Sequence, residues 1–187
     1  TDGRSERSLV GMAVTYGSGE PDVVYFPAEG FLTGDYLKEK LTELQKQIPV
    51  FCVMDGKEFL KDMPDADEAH LFDAGIAAYL LNPLKSQYSY DDIVKEYVHR
   101  YVPAVEEIFG GSKIPAAGKM TPEQQESYAG HQAYAVFAAQ ENMEKLLKEQ
   151  GMWDLYRNVE IPLVFTLRQM EADGIAAEKR STFRLRS

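Results

Sequence analysis

The most recognisable motif in this sequence of 187 residues is Asp67-Glu-Ala-His70, which has the residues of a helicase box. In such a box the acids hold Mg²⁺ opposite a loop whose backbone amides cradle phosphates, and that loop requires the pattern G-x-x-x-x-G-K-[ST]. The nearest approach in this chain, Gly110-Gly-Ser-Lys113, lacks the pattern. The box also follows a predicted loop rather than a strand. We therefore interpret residues 64–68 as a solvated acidic loop rather than as part of a nucleotide site.

The histidines and the single cysteine do not spell a metal site or a nucleophile motif. His70, His99 and His131 lie far apart in the sequence, whereas a zinc site needs three or four converging ligands. Cys52 lies in an apolar run without an adjacent His or Lys, so we expect a buried, unreactive thiol. A lone cysteine also excludes an internal disulfide and is typical of a reducing, cytoplasmic compartment.

Asp73 is the candidate catalytic acid with the most unusual surroundings, because it is the only charged residue in the apolar stretch 71–83. Two roles are open for it: a buried catalytic carboxylate, or a helix cap that accepts hydrogen bonds from free backbone N–H groups. We expect a helix buried on most sides, since its apolar residues are spread round it rather than confined to one stripe. This helix should end at Asn82-Pro83, because the residue before a proline is pushed out of the α region. The apolar residues concerned are Leu71, Phe72, Ile76, Tyr79 and Leu80.

Composition limits the classes of function that are open to the chain. Its formal net charge is −10, whereas a module that binds nucleic acid by itself normally offers a basic face to the phosphates. The sequence contains no apolar run long enough to cross a membrane and no signal-peptide pattern. With 44% hydrophobic residues, the chain can bury the core of one main domain.

Hydrophobic periodicity predicts an α/β domain that finishes in helices. Strand-like runs over 8–16 and 22–26, separated by turn residues, predict a β-hairpin. Thr121 is a strong helix start, because Pro122 suits the first helical position and Gln124 can return a hydrogen bond to the cap. The other predicted elements are an amphipathic helix over 36–47, a buried strand over 50–54, a short helix over 56–63, a helix over 91–102, the helix from Thr121 to about Glu149, and a helix over 155–172 in which Pro162 causes a kink or a break.

A more specific pattern lies between residues 155 and 175. The pattern is an apolar or aromatic residue followed by Glu-x-Pro-Leu, then an apolar run, then Met-Glu-x-x-Gly-[IV]. The matching residues are Glu160, Pro162, Leu163, Leu167, Met170, Glu171, Gly174 and Ile175. This stretch resembles the linking helix of bacterial DNA polymerase I, a family A DNA polymerase, which joins a 3′–5′ exonuclease domain to the polymerase domain. Upstream, residues 9–14 resemble the second strand of that exonuclease domain, residues 71–81 resemble the helix after its fifth strand, and Tyr128-Ala-Gly-His-Gln132 falls at its last motif.

The resemblance implies a ribonuclease H-like (DnaQ-like exonuclease) fold, a mixed sheet flanked by helices, with a helical C-terminal extension. Residues 1–150 would form the exonuclease-like domain, and residues 151–187 the linking helix and the truncated start of the polymerase domain. Thr1-Asp2-Gly3 resembles the segment directly after the first strand of the family, so that strand is expected to be missing. A missing strand would leave an unpaired sheet edge, which invites self-association or pairing with the basic tail 179–187.

The family cleaves a terminal phosphodiester with two divalent metals about 4 Å apart, held by carboxylates. Its last motif is Tyr-x-x-x-Asp; Tyr128 is present here, but Gln132 stands at the acid position and supplies no charge. A second acid position, counted from Cys52, falls at Gly56, with Asp55 one residue early. One residue is about 100° of helix rotation, so we expect Asp55 to point away from the site. The family's Asp-x-Glu belongs to the first strand.

These departures predict a degenerate, catalytically silent exonuclease domain that serves as a structural scaffold for the polymerase domain of the same parent chain. An active two-metal proofreading exonuclease that uses Asp55 is one alternative, and an unrelated α/β binding domain is another. We expect no cofactor in the silent domain, and Mg²⁺ or Mn²⁺ only if exonuclease activity survives. We expect DNA contact through the parent protein, weak or none for this domain alone, and no membrane contact. In the family the acid at the place of Asp73 is not a metal ligand, so Asp73 is interpreted as a helix cap.

Overall fold

A computed structural model of the chain describes residues 9–17, 19–85 and 87–174, so the predicted tail 179–187 lies outside the described residues. In chain order the strands and helices are β1 (Gly11–Tyr16), β2 (Asp22–Pro27), α1 (Gly34–Gln45), β3 (Phe51–Val53), α2 (Gly56–Asp62), β4 (Leu71–Asp73), α3 (Ala74–Leu81), α4 (Tyr90–Ile93), α5 (Val105–Phe109), α6 (Pro122–Glu149), α7 (Trp153–Leu155) and α8 (Ile161–Asp173). Two π-helical turns, Val94–Val98 and Tyr156–Glu160, come directly after α4 and α7. Within the described ranges, no helix is both long enough and apolar enough to span a membrane.

The strands form two separate two-stranded sheets within the described residues. β1 and β2 pair antiparallel, with Gly11 opposite Pro27, which confirms the predicted hairpin. β3 and β4 pair in parallel, with Val53 opposite Asp73. Together with the helices, these sheets confirm the mixed α/β class that the sequence predicts.

Helices cover both faces of the β3–β4 sheet. The ring of Phe51 in β3 contacts that of Phe59 in α2, with 4.9 Å between the centroids. The next residue, Cys52, packs against the core cluster that contains Met143 and Leu147 of α6. Because successive side chains of a strand point to opposite faces, α2 lies on one face and α6 on the other.

Desolvation raises the pKa of the Cys52 thiol to about 12, as predicted for an unreactive cysteine.

Helix α6 begins with the predicted capping box. The Thr121 hydroxyl accepts a hydrogen bond from the backbone N–H of Gln124, whose side chain accepts one from the N–H of Thr121. The helix ends at Glu149, before Gly151 with its positive φ of 70°. The side chains that it buries are Ala135, Val136, Ala139, Met143 and Leu147.

The predicted helix begins directly after its cap Asp73, but the prediction that Leu71 and Phe72 belong to this helix is wrong. Leu71–Asp73 is strand β4, and helix α3 begins at Ala74. A short apolar run fits a buried strand as well as a helix, and its periodicity does not distinguish the two. The predicted burial on most sides is also too broad, because Tyr79 is 49% exposed while Ala77 is fully buried.

The predicted helix over 91–102 ends earlier than its apolar spacing indicates. Helix α4 passes into the π-helical turn Val94–Val98, and His99 then adopts a left-handed backbone with φ of 57°. Asn142 of α6 donates its side-chain amide to the carbonyl oxygen of Tyr97 at 2.8 Å. This contact satisfies one of the carbonyl groups that the end of a helix leaves without an intrahelical donor.

The predicted helix over 155–172 is present as α7, the π-helical turn Tyr156–Glu160 and α8. Pro162 lies in the first turn of α8, where a missing backbone N–H is tolerated. The proline therefore marks the change from π-helical to α-helical geometry, and the helical path continues through it.

Tyr156 anchors this C-terminal helical segment to strand β4. Its buried hydroxyl accepts a hydrogen bond from the backbone N–H of Asp73 at 2.7 Å and donates one to the Asp73 carbonyl at 3.1 Å. The next residue, Arg157, donates to the carbonyl oxygens of Leu71 and Ala69, each at 2.9 Å. Burial raises the pKa of Tyr156 far above its usual range, so the phenol stays neutral and can make both bonds.

Replacing Tyr156 by Phe should lower the free energy of unfolding by about 1–3 kcal/mol, because the buried N–H and C=O of Asp73 lose their partner. Chemical denaturation followed by circular dichroism measures this change. Tyr79→Phe is the matched control, since Tyr79 is 49% exposed, and it should change the stability by no more than about 0.5 kcal/mol. Equal losses in the two variants would contradict the anchoring role of Tyr156.

Candidate functional site

Asp73 lies where strand β4 passes into α3, and its carboxylate accepts hydrogen bonds from the backbone of two helices. Oδ1 accepts from the N–H of Ile76 in α3 at 3.0 Å, and Oδ2 accepts from the N–H of Gly56 in α2 at 2.6 Å. Two helices therefore begin at one carboxylate, whose negative charge complements the positive ends of both helix dipoles. The predicted helix cap at Asp73 is confirmed.

Burial sets the protonation of Asp73. The residue is 3% exposed, and burial raises the pKa of its carboxyl group to about 6, with the charge of Asp55 adding to the rise. The N–H groups of Ile76 and Gly56 act in the opposite direction, because they stabilise the charged form. A raised pKa is common among catalytic acids, but here both carboxylate oxygens accept bonds from the protein backbone.

The acid position that the family spacing assigns to Gly56 has no room for a side chain. A Cβ atom at Gly56 would lie 2.9 Å from Oδ2 of Asp73 and 3.3 Å from Cγ1 of Val164 in α8. Gly56 is buried in the first turn of α2, and its N–H is committed to Asp73. An acid at this position would therefore require Asp73 or α8 to move.

Asp55 is the exposed N-cap of α2. Its Oδ1 accepts a hydrogen bond from the N–H of Glu58 at 2.9 Å. Its backbone is extended rather than helical, so the predicted rotation about a helix axis does not apply to it. Asp55 comes after β3 as Asp73 ends β4, which places both acids at the carboxyl edge of the parallel pair, the edge at which α/β sheets commonly bind ligands.

Tyr128 and Gln132 lie one turn apart on α6 and contact each other. The Nε2 amide of Gln132 donates a hydrogen bond to the phenol oxygen of Tyr128 at 2.7 Å. The Tyr128 ring makes edge contacts with Tyr90 and Phe109, with centroids 5.8 Å and 5.4 Å apart. Burial raises the pKa of Tyr128. The phenol is thus held in place by aromatic packing and by the amide of Gln132.

The four candidate positions lie on two different elements. Asp55 and Gly56 adjoin Asp73, whereas Tyr128 and Gln132 lie on α6. Met54, the residue before Asp55, packs against the same small core cluster as Tyr128. In the ranges that the structure describes, no three side chains of His, Cys, Asp or Glu come together as a metal-binding group.

The acidic box 67–70 lies in a loop, as predicted. The carboxylate of Asp67 accepts a hydrogen bond from the N–H of Ala69 at 2.9 Å and so closes a local turn. His131 is likewise engaged within its own helix, with Nδ1 at 2.6 Å from the carbonyl oxygen of Ser127. These contacts are structural and do not converge on a ligand.

Sequence reasoning missed Tyr156 and Arg157, which hold the C-terminal helical segment on β4. The one sequence signal for these two residues is that both lie inside the stretch 155–175, which resembles the linking helix. Their partners are more than 80 residues away along the chain, and local periodicity carries no information about contacts at that separation.

Comparison with known proteins identifies a relative for part of the chain. No protein-family model matches the sequence. DNA polymerase I of Bacillus subtilis is 26% identical over 110 residues, which is 57% of this chain and 12% of the relative. The chain thus matches a small part of a much longer protein. It contains a region related to DNA polymerase I.

The Asp73 carboxyl group should titrate with a midpoint near pH 6, which NMR of its side-chain carbon can measure. Its pKa in the folded chain lies above the ordinary value of 3.8, so the stability that it contributes is fully present below about pH 4 and is lost as the pH rises through 6. The stability of the wild type relative to Asp73→Asn should therefore fall between pH 4 and pH 6. A midpoint below 4, or a difference independent of pH, would contradict this account of the buried carboxyl group.

Proposed function

We propose that this chain is the 3′–5′ exonuclease-like domain of a protein related to DNA polymerase I, with a ribonuclease H-like fold. In this proposal the domain is catalytically silent and serves as a scaffold for the polymerase domain of its parent protein. The observation that carries the proposal is the hydrogen bond from the amide of Gln132 to the phenol of Tyr128, at the position where the family has an acid.

Two-metal cleavage needs negative charge close to the ions, because carboxylates both bind the ions and offset their charge. Gln132 contributes a neutral amide, and its NH₂ group is directed at Tyr128. At the other position, Gly56 packs against Asp73 and leaves no space for an acid. Both departures remove charge where a metal pair would require it, and this supports catalytic silence.

Asp55 is the reason to keep an active exonuclease as the competing function. It is exposed, it lies at the carboxyl edge of the β3–β4 pair, and it is close enough to Asp73 to raise the pKa of that carboxyl group. Its own oxygen caps α2, and that bond accounts for an acid at this position without a metal. The capping role is the simpler explanation and fits the proposed silent domain.

An exposed apolar stripe along the C-terminal helical segment provides the scaffold with a surface that could contact a partner domain. The buried side of α8 carries Ile161 and Val164, and Arg168 on this helix donates to the carbonyl oxygen of Leu60 in α2 at 3.3 Å. The stripe consists of apolar residues that recur every three or four positions and are 39–60% exposed. These residues are Leu155, Val159, Leu163, Leu167 and Met170.

A contiguous apolar surface of this kind marks an interaction site. We assign the stripe to the polymerase domain of the parent protein, because the segment 155–175 resembles the helix that joins the two domains. The net charge of −10 disfavours DNA as the partner of this domain alone, since phosphates attract basic surfaces.

Incubation with Mn²⁺ and end-labelled single-stranded DNA should produce no terminal degradation, because the charge needed to hold two ions is missing. Gel analysis of the labelled strand over time measures this activity. Asp55→Ala is the matched variant and should be indistinguishable from the wild type. Terminal degradation by the wild type that Asp55→Ala abolishes would overturn the silent assignment in favour of an active exonuclease.

Fusing this chain ahead of the polymerase domain of Bacillus subtilis DNA polymerase I should raise the thermal midpoint of that domain, as expected for a buttress. The double substitution Leu163→Glu and Leu167→Glu should remove the gain, because it places charge in the apolar contact. Differential scanning calorimetry measures both effects.

Leu84→Glu is the control for the fusion, since Leu84 is 92% exposed and lies outside the stripe; it should leave the gain intact. A gain that survives the double substitution would show that the stripe does not face the polymerase domain.

A further inference from the structure

Helices α2 and α8 pack closely against each other. Cγ1 of Val164 in α8 lies 3.3 Å from the point where a Cβ atom at Gly56, in the first turn of α2, would stand. Val164 is 6% exposed and Leu60 of α2 is 1% exposed. Departure of either helix would therefore expose apolar surface on the other, which is unfavourable in water.

Two polar contacts also join these helices. Arg168 of α8 donates to the carbonyl oxygen of Leu60 at 3.3 Å, and Lys57 of α2 pairs with Glu171 of α8 at 3.0 Å. The side chains of the ion pair are 40% and 50% exposed, so this pair adds little free energy. The apolar contact and the Arg168 bond therefore carry most of the attraction between α2 and α8.

Helix α2 is too short to persist without such contacts. It has 7 residues, and α8 has 13, whereas isolated helices of fewer than about 12–15 residues are marginal in water. On its sheet side α2 retains the contact between the rings of Phe59 and Phe51. With only that side covered, we expect α2 to lose its helical structure when α8 leaves.

The attachments of both helices to the sheet meet at Asp73. Its Oδ2 accepts from the N–H of Gly56 at the start of α2 at 2.6 Å. Its backbone bonds to the hydroxyl of Tyr156, in the turn directly before α8. Because Asp73 is 3% exposed, loss of either attachment would admit water, and water competes for the hydrogen bonds of the other. Opening on one side therefore favours opening on the other.

We propose that α2 and the C-terminal helical segment 156–173 open and close as one cooperative unit, so that a partner bound to the apolar stripe also controls the order of α2. Proteins commonly open in contiguous units of this kind. The stripe lies on the exposed side of α8, whereas Val164 and Arg168 contact α2. One helix thus connects a partner surface to the carboxyl edge of the β3–β4 sheet, where Asp55 caps α2. The polymerase domain as that partner rests on the proposed function.

Comparing Thr166→Gly with Thr166→Ala tests the cooperative unit. Thr166 is exposed on α8, and its hydroxyl bonds within its own helix to the carbonyl oxygen of Pro162. Both substitutions remove this side chain, but glycine alone lowers the helix propensity of α8, enough for about fivefold faster hydrogen exchange of its amides. The α2 amides should accelerate by the same factor, as followed by NMR. The buried amides of α6 should exchange at least tenfold more slowly than both helices in each variant.

The pair Glu39→Ala and Glu39→Gly is the matched control, since Glu39 is exposed on α1, outside the proposed unit. Exchange in α2 and α8 should agree within twofold between these two variants. Acceleration of α8 without α2 in the Thr166 pair would overturn the proposal. So would α6 amides that exchange as fast as α2 and α8, or acceleration of both helices by the Glu39 pair, because the opening would then extend beyond the unit.

The fusion to the polymerase domain of Bacillus subtilis DNA polymerase I tests control by the partner. In the fusion, α2 and α8 should gain protection from exchange together, and a gain in α8 without α2 would overturn this control. No gain in either helix would overturn the polymerase domain as the partner, while the Thr166 pair would still decide whether the two helices open together. The failure of the proposed function and the failure of the coupling are therefore distinguishable.

Discussion

The Asp73 carboxylate is the contact on which the arrangement of the whole domain depends. Its two oxygens hold the first turns of α2 and α3 at 2.6 Å and 3.0 Å, while its own backbone is held by Tyr156 from the C-terminal segment. Burying an acid costs free energy, which is why its pKa is raised to about 6. The backbone bonds and the two helix dipoles offset that cost. The glycine at position 56 is a direct consequence of this arrangement, because a Cβ there would collide with the same carboxylate.

Local chemistry makes some elements predictable from the sequence. The start of α6 at Thr121 and the cap at Asp73 depend on residues a few positions apart, so the letters alone indicate them. Leu71 and Phe72 of strand β4 are mistaken for helical residues, because two apolar residues followed by an acid show no usable period. The π-helical turn after α4 ends beside a contact from Asn142, which lies 45 residues further along the chain than Tyr97. A local sequence pattern carries no information about a contact of that range.

The candidate site likewise has one part that the sequence predicts and one part that it does not. Tyr128 and Gln132 are four residues apart on a helix, so their contact can be expected from the predicted element. The position of Asp55 cannot be predicted in this way, because the boundary between β3 and α2 decides whether Asp55 lies on a helix or caps one. The predicted helix over 56–63 begins at the same residue as α2. The role of Asp55 as its N-cap, however, is shown only by the hydrogen bond from the N–H of Glu58. The distant relative agrees with the resemblance to DNA polymerase I and adds no information on these side chains.

If the acids at the ends of β3 and β4 serve the fold rather than a metal pair, the domain should have no preferred site for a divalent ion. Paramagnetic Mn²⁺ tests this directly, because it broadens the NMR signals of amides close to where it binds. Titration with Mn²⁺ should give weak broadening spread over the acidic surface, with no preference for Asp55, Asp73 or Gln132. Selective broadening of these three amides at a low ratio of metal to protein would contradict the account, since it would show an intact metal site at the edge of the sheet.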